Sequence, residues 1–140
     1  MKSQLVPGGI SARELHGFDQ GLGRRLWYIS KGEVNELVQL IQSFHSSRQA
    51  DLWRGAGIAC GYVGGCGEEH LKQLLIFSAG FSKELCRGVK LAAISRKASN
   101  SVWGYIDFAC NIICRKSLED ILIDDGSLKK LFDPELEIII

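Results

Sequence analysis

With 140 residues, 46% apolar and 24% charged, the chain has the material for one packed domain. A formal net charge of +1 excludes the broad basic footprint of a nucleic-acid binder or a membrane-surface protein. No stretch reaches the roughly 20 apolar residues that span a bilayer, and the polar start with its Pro7-Gly8-Gly9 turn is not a secretory signal.

Residues 1–16 read as a loose arm, residues 17–132 as a helical domain and residues 133–140 as a C-terminal tail. The two prolines, Pro7 and Pro134, lie near the ends, which leaves the interior open to helix. The helical pattern starts at Phe18 and continues through Leu22, Leu26 and Ile29. Gly21 and Gly23 lower the intrinsic propensity of this segment, so burial has to hold it. After Gly32, an apolar stripe of Val34, Leu37, Val38, Ile41 and Phe44 stands opposite Glu33, Glu36, Gln39 and Gln42, the pattern of an amphipathic helix.

Polar residues 45–49 read as a turn, and a third helix is expected from Ala50 to Val63. Glu68 and Glu69 suit the first turn of a fourth helix, where the helix dipole favours negative charge. Gly80 bends or ends that helix, and a fifth is expected over residues 83–98. Residues 103–114 are apolar on several sides and read as a central helix. Ser117-Leu118-Glu119-Asp120 carries a capping pattern, Gly126 is a helix stop, and Ser127–Phe132 is expected to form one short last turn. The terminal Ile138-Ile139-Ile140 is costly to expose, which calls for docking, a partner chain, or a continuation of the polypeptide.

One pattern recurs. Leu52-Trp53-Arg54-Gly55 with Ala59 returns as Leu85-Cys86-Arg87-Gly88 with Ala92, at a period of 33 residues, and Gly23 stands 32 residues before Gly55 as a fainter copy. Periods of this length belong to helix-hairpin repeats, in which each unit buries its face on the next. Gly and Ala four apart share a helix face and let a neighbouring helix approach closely. That gain has to offset about 1 kcal/mol of lost helix propensity per Gly relative to Ala. The expected fold is therefore all-α, a tetratricopeptide-like stack of helix hairpins.

Chemistry-bearing patterns are thin. Gly55-Ala56-Gly57-Ile58-Ala59-Cys60 fails the dinucleotide fingerprint, since Cys60 stands where Gly is needed and no strand precedes it. No phosphate-loop signature occurs. Cys66 with His70, and Cys110 with Cys114, are each four apart, but standard zinc spacings are absent and no metal or cofactor is expected. Cys66 beside His70 is the best candidate for a nucleophile, an arrangement that arises often without function. His16 and His45 read as solvated. The five cysteines are an odd number, and Cys60, Cys86, Cys110 and Cys114 sit among apolar neighbours as buried reduced thiols, which points to the cytoplasm.

Arg24, Arg25, Arg54 and Arg87 each lie beside Gly or an aromatic residue. Arg54 and Arg87 either line a groove that grips a carboxylate or phosphate, or pair with Asp51 and Glu84, three positions earlier in each copy. Trp27, Trp53 and Trp103 read as core anchors. The function expected is a binding or scaffold module, leaning away from an enzyme, with a protein partner and no nucleic acid. The alternative is an enzyme or small-molecule carrier whose pocket is lined by Arg54, Arg87, Trp53 and Tyr62.

The run Gly21-x-Gly23-Arg24-x-Leu26-Trp27-Tyr28, then Asp51-Leu52-Trp53-x-Gly55-x-Gly57-Ile58-Ala59, then Tyr62-x-Gly64-Gly65, resembles an uncharacterised family found beside enediyne polyketide synthase genes in bacteria. Gly88, Ala92-Ala93 and Ala109-Cys110 extend the resemblance, which covers residues 18–125. It implies a place in secondary-metabolite assembly and carries over no catalytic residue. Members of that family are longer, which makes this chain a fragment or a short relative.

Overall fold

The computed structural model describes residues 8–64, 66–98 and 104–123. These residues are helical, with no strand among them. The helices are α1 (Ala12–Ser30), α2 (Val34–Gln42), α3 (Ser46–Val63), α4 (Glu68–Phe77), α5 (Ser82–Ala98), α6 (Gly104–Ala109) and α7 (Leu118–Ile123). A 3₁₀ turn, Ala79–Phe81, joins α4 to α5, and a π-helical turn, Cys110–Cys114, continues α6.

Helix α1 starts within the stretch expected to be a loose arm. Ser11 caps it: its hydroxyl accepts from the Glu14 N–H at 3.1 Å, and the Glu14 carboxylate accepts from the Ser11 N–H at 2.9 Å. These reciprocal bonds satisfy two amides that a helix start leaves without intrahelical partners. At the other end Lys31 and Gly32 both take left-handed backbone, and the Gly32 N–H bonds the Trp27 carbonyl at 2.9 Å. A side chain on Gly32 would meet the Trp27 ring at 3.0 Å, so Gly serves both the turn and the packing.

The centre of the fold is α3, not the 103–114 segment expected there. Every residue from Asp51 to Gly61 is buried. The reason is that α3 is covered on two sides: its most extensive contacts are with α5 and with α1. Helix α6 and the π turn instead lean on α3 and α5, burying Ile106, Ala109, Cys110 and Ile113. Helices α2 and α4 pack on each other and contribute Val34, Leu37, Ile41, Leu71 and Leu74 to the same core.

Glycines set the two α3 contacts. A Cβ on Gly55 would fall 2.0 Å from the Gln20 carbonyl oxygen and 3.0 Å from the Arg24 nitrogen, both on α1. A Cβ on Gly88 would fall 2.1 Å from the Arg54 carbonyl oxygen and 2.7 Å from the Ile58 nitrogen, both on α3. From the other side, a Cβ on Gly23 would strike the Leu52 carbonyl at 2.1 Å, and one on Gly57 the Leu85 carbonyl at 2.2 Å. The α1–α3 and α3–α5 pairs therefore touch through corresponding atoms. The upstream glycine Gly23 plays the part of Gly57, two positions beyond the Gly55 with which its spacing aligned it. Gly61 extends the second contact, against Ala92 at 2.6 Å.

Ser117 does cap α7, accepting from the Asp120 N–H at 3.0 Å. Trp103, the 99–101 connector, Gly126, the Ser127–Phe132 turn and the 133–140 tail lie outside the described residues.

Candidate functional site

The four residues expected to line a pocket occupy different surroundings. Trp53 is a core residue, 2% exposed. Arg54 is held across helices by Glu84 of α5, with Nε 3.1 Å and Nη2 2.6 Å from Oε1. Arg87 pairs with the other oxygen of Glu84 at 3.3 Å, one turn along the same helix. Both arginines thus converge on one carboxylate. The expected partner of Arg87 is the observed one. Asp51, the expected partner of Arg54, turns to α1 instead, accepting from His16 Nδ1 at 2.6 Å and from Gln20 Nε2 at 3.2 Å. His16, read as solvated, is tied by that bond although its side chain stays 49% exposed. Tyr62 is half-buried: its hydroxyl bonds Ser95, and the Arg96 guanidinium lies 5.0 Å over its ring while Nη2 donates to the Tyr62 carbonyl at 2.5 Å.

Polar bonds across helices follow the same two contacts as the glycines. Carboxylates at Asp51 and Glu84 stand 33 residues apart, each reaching the helix two before its own, to Gln20 on α1 and to Arg54 on α3. A further buried pair, Arg48 with Asp19, ties α3 to α1 through Nη2–Oδ1 at 2.6 Å and Nε–Oδ2 at 3.0 Å. Arg48 also lies 5.2 Å over the Phe44 ring.

Of the four expected residues, Arg87 lines a groove. This groove, of about 560 Å³, runs between α4, α5 and the π turn. Leu75, Ile76 and Ile113 form its apolar wall, and Lys83, Arg87, Lys90 and Arg115 give it four cations and no carboxylate. Cys86 and Cys114 open into it. The Cys114 thiol donates to the Cys86 carbonyl oxygen at 3.4 Å. The neighbouring Cys114, helped by Lys90, Lys116 and Arg87, holds the Cys86 thiol below its ordinary range against the opposing effect of burial. Cys86 in turn, with burial, drives Cys114 upward.

The other thiols differ. Burial pushes Cys60 up, and it pushes Cys110 up to about 12. Cys66 is raised by burial. His70 does not act on it, because His70 Nε2–H donates to the Gly32 carbonyl at 2.5 Å. All five cysteines are free thiols. Among the described residues, no group of three or more His, Cys, Asp and Glu side chains is placed to hold a metal ion.

A second groove, of about 520 Å³, runs along the outside of α1 between Gly21, Arg24, Arg25, Tyr28 and Ile29. Tyr28 and Ile29 are exposed there. The sequence marked the two arginines for their glycine and aromatic neighbours, and the groove gathers them on one helix face. Among the described residues no helix is long and apolar enough to cross a membrane.

These observations define an all-helical protein with a glycine-packed central helix and a cationic dithiol groove. The chain belongs to the DUF1702 family, proteins of unknown function, whose family model matches residues 5–128. No curated protein and no solved structure matches it.

Proposed function

We propose that this chain is a helical-repeat binding module, a tetratricopeptide-like stack of helix hairpins that holds a protein partner rather than turning over a substrate. One observation carries the reading. The Gly55 contact with α1 and the Gly88 contact with α3 use corresponding atoms, so one unit of structure is laid twice on its predecessor. Stacked-hairpin proteins are built in that way, and they use the surfaces of the stack to bind. The carboxylate at Asp51 and Glu84, reaching back at the same period, supports it independently.

The resemblance of the Gly21–Tyr28 and Asp51–Ala59 runs to a family found beside enediyne polyketide synthase genes supports a place in bacterial secondary-metabolite assembly. Five free thiols are in keeping with a cytoplasmic module.

The test is native mass spectrometry of the protein purified gently from its own host. The module reading expects a stoichiometric added polypeptide that survives dilution and reappears in repeat preparations. A bare monomer across preparations, or an added mass of only a few hundred daltons, counts against it.

A further inference from the structure

The groove at Cys86 joins three features that rarely coincide by packing alone. It is lined by two thiols, Cys86 on α5 and Cys114 on the π turn, the second lying 3.4 Å from the Cys86 carbonyl oxygen. It collects Lys83, Arg87, Lys90 and Arg115 around them with no carboxylate among its lining residues. Its apolar wall of Leu75, Ile76 and Ile113 leaves space for a small molecule beside the sulfurs.

Positive charge is costly to gather unless something negative comes to it. Arg87 is partly neutralised by Glu84, whereas Lys83, Lys90 and Arg115 make no ion pair among the described residues. The π turn places the second thiol. Winding residues 110–114 as a π helix, followed by the left-handed Arg115, brings Cys114 against the Cys86 backbone carbonyl. Such turns are frequently found at functional positions.

We infer that this groove is a thiol–disulfide exchange site for anionic low-molecular-weight disulfides, with Cys86 as the attacking sulfur and Cys114 as the resolving one. The Cys86 thiolate attacks one sulfur of the bound disulfide RSSR. A Cys86–SR bond forms, the RS–SR bond breaks, and RS⁻ departs with the electron pair. The Cys114 thiol then attacks the Cys86 sulfur, forming the Cys86–Cys114 disulfide and expelling the second thiolate, which leaves as RSH with the Cys114 proton. Two protein thiols are oxidised and one disulfide is reduced to two thiols, so the exchange balances.

The groups facing Cys86 favour this order of events. Cys114 from the π turn lies beside it, donating to the Cys86 carbonyl. Lys90 and Arg87 from its own helix and Lys116 beyond the turn favour its anion, and α4 presents only Leu75 and Ile76. Cys114 is raised first by the neighbouring Cys86 thiol. That restraint disappears once Cys86 is tied up in a mixed disulfide, which frees Cys114 to resolve it. Cys60, Cys66 and Cys110 have no such site, since burial pushes each of them up. This inference does not depend on the stacked-hairpin reading.

The intact reduced protein is challenged at neutral pH with three disulfides: oxidised glutathione (anionic), hydroxyethyl disulfide (neutral) and cystamine (cationic). Intact mass and peptide mapping locate each product. Oxidised glutathione is expected to modify Cys86 about tenfold faster than either of the others, the scale of local electrostatic enrichment. The adduct is expected to give way to a Cys86–Cys114 crosslink, and Cys114→Ser to stop at the mixed disulfide. Lys90→Gln and Arg115→Gln, which remove cations from the groove, should slow glutathione severalfold more than they slow the neutral disulfide. First modification at Cys66, equal rates for the three disulfides, or an adduct at Cys86 that never crosslinks in the wild-type chain would each overturn the inference. Mapping on the wild-type protein keeps the test independent of whether any variant folds.

Discussion

Arg54 on α3 reaches across to Glu84 on α5, placing both Nε and Nη2 against one carboxylate oxygen thirty positions away. The side chains are 9% and 18% exposed, so the pair is largely withdrawn from water. Removing one partner of such a pair leaves the other charge poorly solvated, and that costs more than the pair itself contributes. Glu84→Ala is therefore expected to lose about 2–3 kcal/mol of stability, read as a shifted urea midpoint at unchanged slope. The double variant Arg54→Met/Glu84→Leu should recover most of that loss. A double variant as unstable as the single one would mean that the ion pair is itself the stabilising element.

The glycine contacts give a sharper contrast. Gly55→Ala and Gly88→Ala each put a methyl about 2 Å from a backbone oxygen of the next helix, so the helices must part. Backbone cannot yield as a flexible side chain does. Each variant is expected to lose at least about 3 kcal/mol, at the upper end of overpacking costs. Gly21 is likewise helical, in α1, yet a Cβ there meets nothing within 4 Å. Gly21→Ala should gain up to about 1 kcal/mol from helix propensity. Thermal unfolding of the three variants side by side decides the matter. Equal effects would show that close approach is not what the repeated glycines serve.

Which parts of this were legible in the sequence follows from what periodicity encodes. Helix existence was, because apolar spacing and caps are local: Val34–Phe44 and the Ser117 cap both stand where their patterns put them. The close helix contacts were legible in the glycines, because only close backbone approach repays a Gly on a helix. The start of α1 was not, although Ser11-Ala12-Arg13-Glu14 is a capping box. Residues 11–14 are exposed, so no apolar stripe marks them. The partner of Arg54 was hidden for a different reason. Asp51 and Glu84 stand at equal spacing before their arginines, and helix rotation, which pattern does not fix, sends Asp51 to α1 instead. The dithiol groove was missed because Cys110 and Cys114 were paired by α-helical spacing, while the π turn carries Cys114 to Cys86.

The Asp19–Arg48 pair is deeper, its side chains 1% and 6% exposed. Asp19→Ala leaves a guanidinium buried between α1 and α3 without its bidentate partner. The expected loss is about 3–5 kcal/mol, nearly independent of added salt because buried pairs are weakly screened. Glu68→Ala, which removes the exposed pair with Lys72 on α4, should change nothing measurable. Denaturant titrations of both variants at low and high salt compare the two. A strong salt dependence for Asp19→Ala would mean that water reaches the pair.

The buried thiols set how stability responds to alkali. Burial raises Cys60, Cys66 and Cys110, the last to about 12, so the folded state holds protons that the unfolded chain releases near pH 8.5. An acid with a raised folded pKa favours folding below its unfolded value. That contribution falls as pH climbs from the unfolded value toward the folded one. Cys86 has the opposite sign: its lowered pKa contributes above the unfolded value and fades as pH falls through the folded one. Between about pH 8.5 and 10, Cys60 and Cys110, the two raised furthest, should each remove up to about 1.4 kcal/mol per pH unit. Urea unfolding across that range is expected to show stability falling with a slope of about two protons. Cys110→Ala should lower the whole curve through its cavity while reducing the alkaline slope by about one proton. A slope unchanged by that substitution would show that the Cys110 thiol ionises as readily folded as unfolded.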